Sequence, residues 1–417
     1  MRRKQVYPAL FLLLFLASTV SWAVPQPLGT ELKISSCDTC KKRSPAVAGI
    51  AIGAQAGVFL VAWESTSLTD PAGVSARFFL KTALPRATDL LVNRDAAPQQ
   101  RGAVAAVDAQ GNSVVAWAVS NGLNSDIMVQ RYKPTGLANG AAFQVNTRPA
   151  NVTTLDVAPA VAFAPNGSFV VAWTRSVPAS ATSPGATPVV MARLFKAAGT
   201  PLAPQVQLST GLATGARPDV CVDTLGRAVV VWTIVDEYRP FEPSNFGVTA
   251  RRIATNGAPL GGEILVAAPL AASSTAAVAC GTGGQFVVAW SSNQAPATDG
   301  SDVLARRFTT AAAPLAPVFR VNSVTAGLQS KPQVAVDAKG NFVAVWQSHS
   351  DTTNTIVGRR FLASGAPDGA DFIVHKPADR IEEWPISPDV AFLGPSTFIV
   401  VWTKGNSSLQ GLRYRVP

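Results

Sequence analysis

The chain has 417 residues, with 35 Lys and Arg against 25 Asp and Glu, 47% apolar residues and four cysteines. That leaves ample apolar material for a conventional core and excludes a disulfide-held miniature. The cations are dispersed, none in a run longer than Lys41-Lys42-Arg43, and no stripe of basic and aromatic residues marks a nucleic-acid partner.

At the N-terminus, Arg2-Arg3-Lys4 precedes the apolar stretch ALFLLLFLA (9–17), and Ser21-Trp22-Ala23 fits a small-x-small cleavage site. Residues 1–23 are therefore expected to be a signal peptide. The apolar stretch is too short to span a bilayer and no run of about 18 apolar residues follows, so no transmembrane segment is expected. Removing the leader leaves 32 cations against 25 anions, a net charge of +7. The expected product is soluble, and secreted or periplasmic.

The next stretch, PLGTELKISS (27–36), resembles a turn followed by a short strand, and Cys37-Asp38-Thr39-Cys40 follows it. This C-x-x-C lies in a loop, not at a helix start after a strand, so a local Cys37–Cys40 disulfide is expected over a redox centre. From here one phrase recurs: FLVAW (59–63), SVVAW (113–117), FVVAW (169–173), AVVVW (228–232), FVVAW (286–290), FVAVW (342–346) and FIVVW (398–402). The tryptophans, Trp63, Trp117, Trp173, Trp232, Trp290, Trp346 and Trp402, are spaced by 54, 56, 59, 58, 56 and 56 residues. A fixed period of this size indicates a repeat architecture.

Each unit has four apolar segments. PAVAFA (159–164) or PDVCVD (218–223) comes first, then a turn such as DAQGN (108–112), then the Trp phrase. VMARLF (190–195) or VLARRF (303–308) is third, and FQVN (143–146) or FRVN (319–322) is fourth. Their length, Val and Phe content and flanking turn residues predict strands. The second strand is apolar at every position, so both of its faces must be covered. Phe169, Val171 and Trp173 form a large face; Val170 and Ala172 form a small one, which can press against the neighbouring unit's large face. Seven four-stranded units of this kind predict an all-β fold, a seven-bladed β-propeller of antiparallel blades. The seventh unit ends after its third strand, LQGLRYR (409–415), so the strand around Leu32–Ser35 is expected to complete blade seven and close the ring. Residues 24–417 then form one domain, with 24–43 as its closing strand and Cys loop.

The grammar P-x-V-A…G-x-F-V-V-x-W…R-F…F-x-V-N resembles a propeller repeat of exported bacterial proteins whose role is mostly unassigned. The resemblance runs from Pro27 to Arg415 and implies the fold, with no particular activity.

Candidate chemistry is sparse. Asp108, Asp223 and Asp337 each offer a single carboxylate, which fits turn capping and not calcium, so no metal site is expected. Third-strand arginines (Arg77, Arg131, Arg193, Arg251, Arg306, Arg359 and Arg413) recur with the fold unit and read as structural, lying along their own blades beside a neighbouring strand's Trp. Cys221 and Cys280 sit in the innermost strands of blades four and five, offset by one position; a staple between blades and two buried free thiols stand as alternatives. No nucleophile elbow, HExxH or phosphate-binding loop occurs, so no catalytic residue is assigned. His375 replaces the Asn of a fourth-strand V-N ending and reads as structural. Loop length varies only on the face carrying the loops between strands two and three and between blades, where binding is expected. Candidates there are Asp236, Glu237, Tyr238, Arg239 and Glu242 in blade four, and His349, Asp351, Glu382, Glu383 and Trp384 around blades six and seven. The expectation is an exported, monomeric binding or interaction module for a protein or glycan ligand, without a cofactor. The alternative is a carbohydrate-active enzyme of glycosidase or lyase type using acidic residues of that long-loop face. A purely structural envelope protein is a third option.

Overall fold

The computed structural model describes residues 24–66, 73–93, 99–178, 186–210, 217–234, 246–270, 273–293, 300–350, 353–377, 385–405 and 408–416. They contain seven four-stranded antiparallel units and no helix. In blade four, for example, Asp219–Val222, Ala228–Ile234, Phe246–Ile253 and Pro259–Leu270 pair in that order. The expected β-propeller is therefore observed. Each first strand packs against the first strand of the next blade, and that of blade seven (Pro385–Gly394) packs against that of blade one (Lys41–Gly49). The ring is closed. Its fastening is the expected one: Leu32 and Lys33 pair with Gly411 and Gln410, and Gln26 and Pro27 pair with Arg415 and Tyr414, on the outer edge of blade seven.

The Trp phrase explains why the blades cohere. Trp173 packs with Val114, Ala116 and Ala118 of blade two, and Trp232 with Val170, Ala172 and Ala192 of blade three. Trp290 meets Val229 and Val231, Trp346 meets Val287 and Ala289, and Trp402 meets Val343 and Val345. Trp63 of blade one closes the circuit against Ile399 and Val401 of blade seven, and Trp117 packs on Leu60 and Ala62. All seven indoles are essentially inaccessible to solvent. Large face thus meets small face at every junction.

The three turn aspartates cap as expected. Asp108 accepts from the N–H groups of Gln110 and Asn112 and from Asn112 Nδ2 at 3.0, 2.8 and 2.8 Å, while Gly111 takes φ 91°. Asp337 repeats this with Lys339 and Asn341.

The arginines are structural, but the sequence alignment merged two registers. Arg77, Arg193, Arg251, Arg306 and Arg359 lie opposite the residue two before the Trp. Arg131 and Arg413 lie one position on, so they point to the other face; Gln130 and Leu412 occupy the common register in blades two and seven. The five donate Nη1 to a fourth-strand carbonyl of the preceding blade, as Arg193 does to Val145 O at 2.8 Å. Four of them lie over the Phe two residues on in their own strand, such as Arg77 over Phe79 at 5.8 Å. Their aromatic partner is this Phe and not the expected Trp. Arg131 and Arg413 instead reach forward to Ala197 O and Lys81 O of the following blade.

Both cysteine pairs are disulfides, Cys37–Cys40 as expected and Cys221–Cys280 as the staple between blades four and five.

Two outcomes follow from this packing. Trp290→Ala should cost about 3–5 kcal/mol, read as a lower midpoint in urea or thermal unfolding. Cys221→Ala/Cys280→Ala should cost about 4 kcal/mol, against about 2 for Cys37→Ala/Cys40→Ala, because the first bridge closes the far longer loop.

Candidate functional site

The first strands differ from the rest in solvent access. The second strands are closed along their length, whereas first-strand residues such as Ala46, Val104, Val161, Val222 and Ala335 stay half-buried. These strands line an open central channel, with their unpaired edges facing the axis. Six of the seven carry a β-bulge near their long-loop end. At four of the bulges a non-glycine residue before a Pro takes positive φ: Ser44, Ala158, Lys331 and Ser387, at 49°, 51°, 52° and 54°. Such conformations cost about 1–3 kcal/mol each and persist where the surroundings enforce them.

Just beyond the bulge, one slot on the axis holds Ala46, Val104, Ala160, Asp219, Ala277, Gln333 and Asp389 around the ring. The two carboxylates bridge strand edges. Asp219 Oδ1 accepts from its neighbour Val220 N–H at 2.8 Å, and Oδ2 accepts from Val278 N–H of blade five at 2.8 Å. Asp389 does the same with Val390 N–H at 2.8 Å and Val47 N–H of blade one at 2.7 Å. Both are only half-buried. Burial in the narrow channel raises the Asp219 pKa from 3.8 to about 6, against the two backbone donors that hold it down. Asp389 rises to about 7, through burial first, opposed by its own two N–H donors, and further through the Asp219 charge. Blades four and seven are not neighbours, so that influence crosses the channel. The arrangement makes Asp389 the weaker acid of the two, with the Asp219 charge reaching it across the channel.

At the long-loop mouth, Arg43, Arg101 and Lys331 by their bulges and Arg217 at the start of blade four are exposed. Burial of the Lys331 stem lowers its pKa, and the charge of Arg217 lowers it further; blades four and six thus bring two cations together over the opening.

Of the loop residues singled out in the sequence, His349 alone is described. It lies one residue before the end of the second strand of blade six (Phe342–Ser350), half-buried, opposite Leu328 and Asn354 on the long-loop side. Asp236, Glu237, Tyr238, Arg239, Glu242, Asp351, Glu382, Glu383 and Trp384 lie outside the described residues. His375 is structural as expected, its Nδ1 2.6 Å from Glu31 Oε1 and its ring 5.2 Å from that of Trp402. Two surface clefts, of about 420 and 250 Å³, lie at blade junctions on the opposite, short-turn face, beside Asp108 and Arg131 and beside Arg307 and Lys339.

The sequence matches no family model and no curated protein. Solved structures similar in fold include a protein of unknown function from Dyadobacter fermentans, at 10% identity, covering 94% of this chain and 99% of that one with a TM-score of 0.54. A polysaccharide lyase is similar at 8% identity, over 94% and 100% of the two chains, with a TM-score of 0.53. A variant of the NanB sialidase of Streptococcus pneumoniae is similar at 6% identity, over 92% and 94%, with a TM-score of 0.50. The expectation of a binding or interaction module is corrected by this set: a prolyl endopeptidase is among the similar structures, at 14% identity over 89% of this chain and 47% of that one, but several others are carbohydrate-active enzymes, which accords better with the alternative. The signal for Asp219 and Asp389 was present in the sequence as an Asp in a slot that is Ala in three of seven units.

A carboxyl whose folded pKa is raised stabilises fully below its ordinary 3.8 and loses that contribution as pH climbs through the folded value. Relative to the wild-type protein, Asp219→Asn and Asp389→Asn should therefore gain thermal stability as pH rises above the ordinary 3.8, the gain levelling off near 6 and 7 respectively. A parallel offset at all pH values would mean ordinary carboxylates.

Proposed function

We propose that this protein is a carbohydrate-active enzyme of the glycosidase or lyase type, working in the propeller channel with Asp219 and Asp389 as its acid–base pair. The observation that carries the reading is the pair itself: two accessible carboxyl groups facing one channel, sensing each other, with pKa values of about 6 and about 7. Glycoside cleavage needs a protonated carboxyl to donate to the leaving oxygen and an ionised one to act as base or nucleophile. Elimination needs the same two roles, with the base taking a carbon-bound proton. Asp389, the weaker acid, suits donation; Asp219 suits the ionised role. The carbohydrate-active neighbours support the substrate class at the level of fold.

The competing structural role has a specific basis, because each carboxylate already ties two strand edges together. The two roles separate experimentally. Asp389→Asn and Asp219→Asn should each lower turnover of a responsive glycan by at least about a hundredfold, with the unfolding midpoint at pH 8 retained or raised. Full activity in both variants, with a lowered midpoint, would leave only the structural role.

Export belongs to the same reading: residues 1–23 act as the leader, and the two disulfides suit an oxidising compartment. So does membership of the exported bacterial repeat group that the grammar resembles.

A further inference from the structure

The electrostatics of the channel mouth bear on which glycan enters. On the long-loop side, the described carboxylates are committed. Asp156 accepts from Trp173 Nε1 at 2.8 Å, Arg175 Nε at 2.7 Å and Asn146 Nδ2 at 2.6 Å. Asp126 holds Arg148 at 2.7 Å. Asp302 accepts from Asn322 Nδ2 at 2.7 Å, with Arg320 at 3.8 Å. Glu64, opposite Arg43 on the adjacent strand, accepts at Oε1 from Gly102 N–H at 2.6 Å. The side chains of Arg43, Arg101, Arg217 and Lys331 have no hydrogen bond or ion pair to any described residue. They come from blades one, two, four and six, so they surround the opening rather than cluster on one side. Arg217 and Lys331 approach closely enough to repel, a juxtaposition that a bound anion would relieve. Below this rim the channel carries its two carboxyl groups, and the raised pKa of each reduces the negative charge an incoming anion meets.

We infer that the channel mouth binds an anionic glycan, with carboxylate or sulfate groups along the chain held by Arg43, Arg101, Arg217 and Lys331 while a glycosidic linkage reaches Asp219 and Asp389. This rests on the carbohydrate-active reading above and names its substrate class. Forked guanidiniums suit planar carboxylate and sulfate groups, and the lysine supplies a point charge between them.

The test is calorimetric titration of the full mature chain at about 0.15 M ionic strength with four probes: hexagalacturonate, its carboxyl-reduced neutral counterpart, a sulfated dextran hexamer and a single-stranded DNA hexamer. Saturable binding of one acidic glycan, at least about tenfold tighter than the neutral sugar, is expected; which of the two binds tells carboxylate from sulfate. Arg217→Ala/Lys331→Ala and Arg43→Ala/Arg101→Ala should each weaken it about tenfold or more. Lys133→Ala, in a turn on the opposite face, should leave it unchanged. Equal affinity for the neutral sugar, or indifference to both double variants, overturns the inference; DNA bound as tightly as the glycans overturns the glycan class in favour of a general polyanion site. Turnover separates the two readings. Acidic glycans bound through the rim but never cleaved would sink the enzyme and leave the acidic ligand, whereas cleavage of neutral glycans without acidic binding would sink the acidic class alone.

Discussion

Everything in this molecule depends on one contact made seven times: an indole from the large face of one blade seated on the Val and Ala side chains of the blade before it. A buried Trp hides about 150–250 Å², worth a few kcal/mol at about 25 cal/mol per Å². The contact between Trp63 and Ile399 and Val401 makes the row a ring. A four-stranded blade cannot cover both faces alone, so each junction is required by the next. The N-terminal strand segments paired to blade seven fasten the ring where the chain would otherwise leave a seam.

Closing the ring creates the problem that the channel residues address. Seven first strands present one free edge each to the axis, with backbone N–H groups that cannot all find a strand partner. Asp219 and Asp389 take two such groups each, one from their own strand and one from the next blade. Carboxylates so placed are held by hydrogen bonds yet poorly solvated, and here burial outweighs the bonds, so both groups keep their protons to unusually high pH. A structural need thus yields protonatable groups on the axis, and the cationic bulge residues stand over them.

Much of this was legible in the sequence. The period, the turn residues and the all-apolar second strand are local signals, and they specify blade, strand order and the opposition of large and small faces. Ring closure was legible because PLGTELKISS supplies the strand that blade seven lacks. The arginine register was misread in blades two and seven because the third strands of other blades carry Arg-Arg pairs, so a search for one Arg per unit cannot tell adjacent positions apart. The carboxylate pair was missed for a different reason. Asp219 and Asp389 are 170 positions apart, no motif joins them, and the raised pKa comes from channel burial and mutual charge, neither of which a linear pattern encodes. Sequence reasoning followed the variable, aromatic loops instead, and among the described residues only His349 of those candidates has a defined place. The disulfide of Cys221 and Cys280 shows the same limit: their offset of one position left the pairing open until the two strands were seen side by side.

The central claim is that the channel holds two carboxyl groups that titrate near neutrality and influence each other. Carbon-13 NMR of aspartate-labelled protein, with Asp219→Asn and Asp389→Asn used for assignment, measures this directly. The account predicts side-chain carboxyl resonances titrating at about 6 for Asp219 and about 7 for Asp389, with the Asp389 midpoint falling when Asp219 is replaced by Asn. Midpoints for both groups close to 4, unmoved by the partner's replacement, would contradict it.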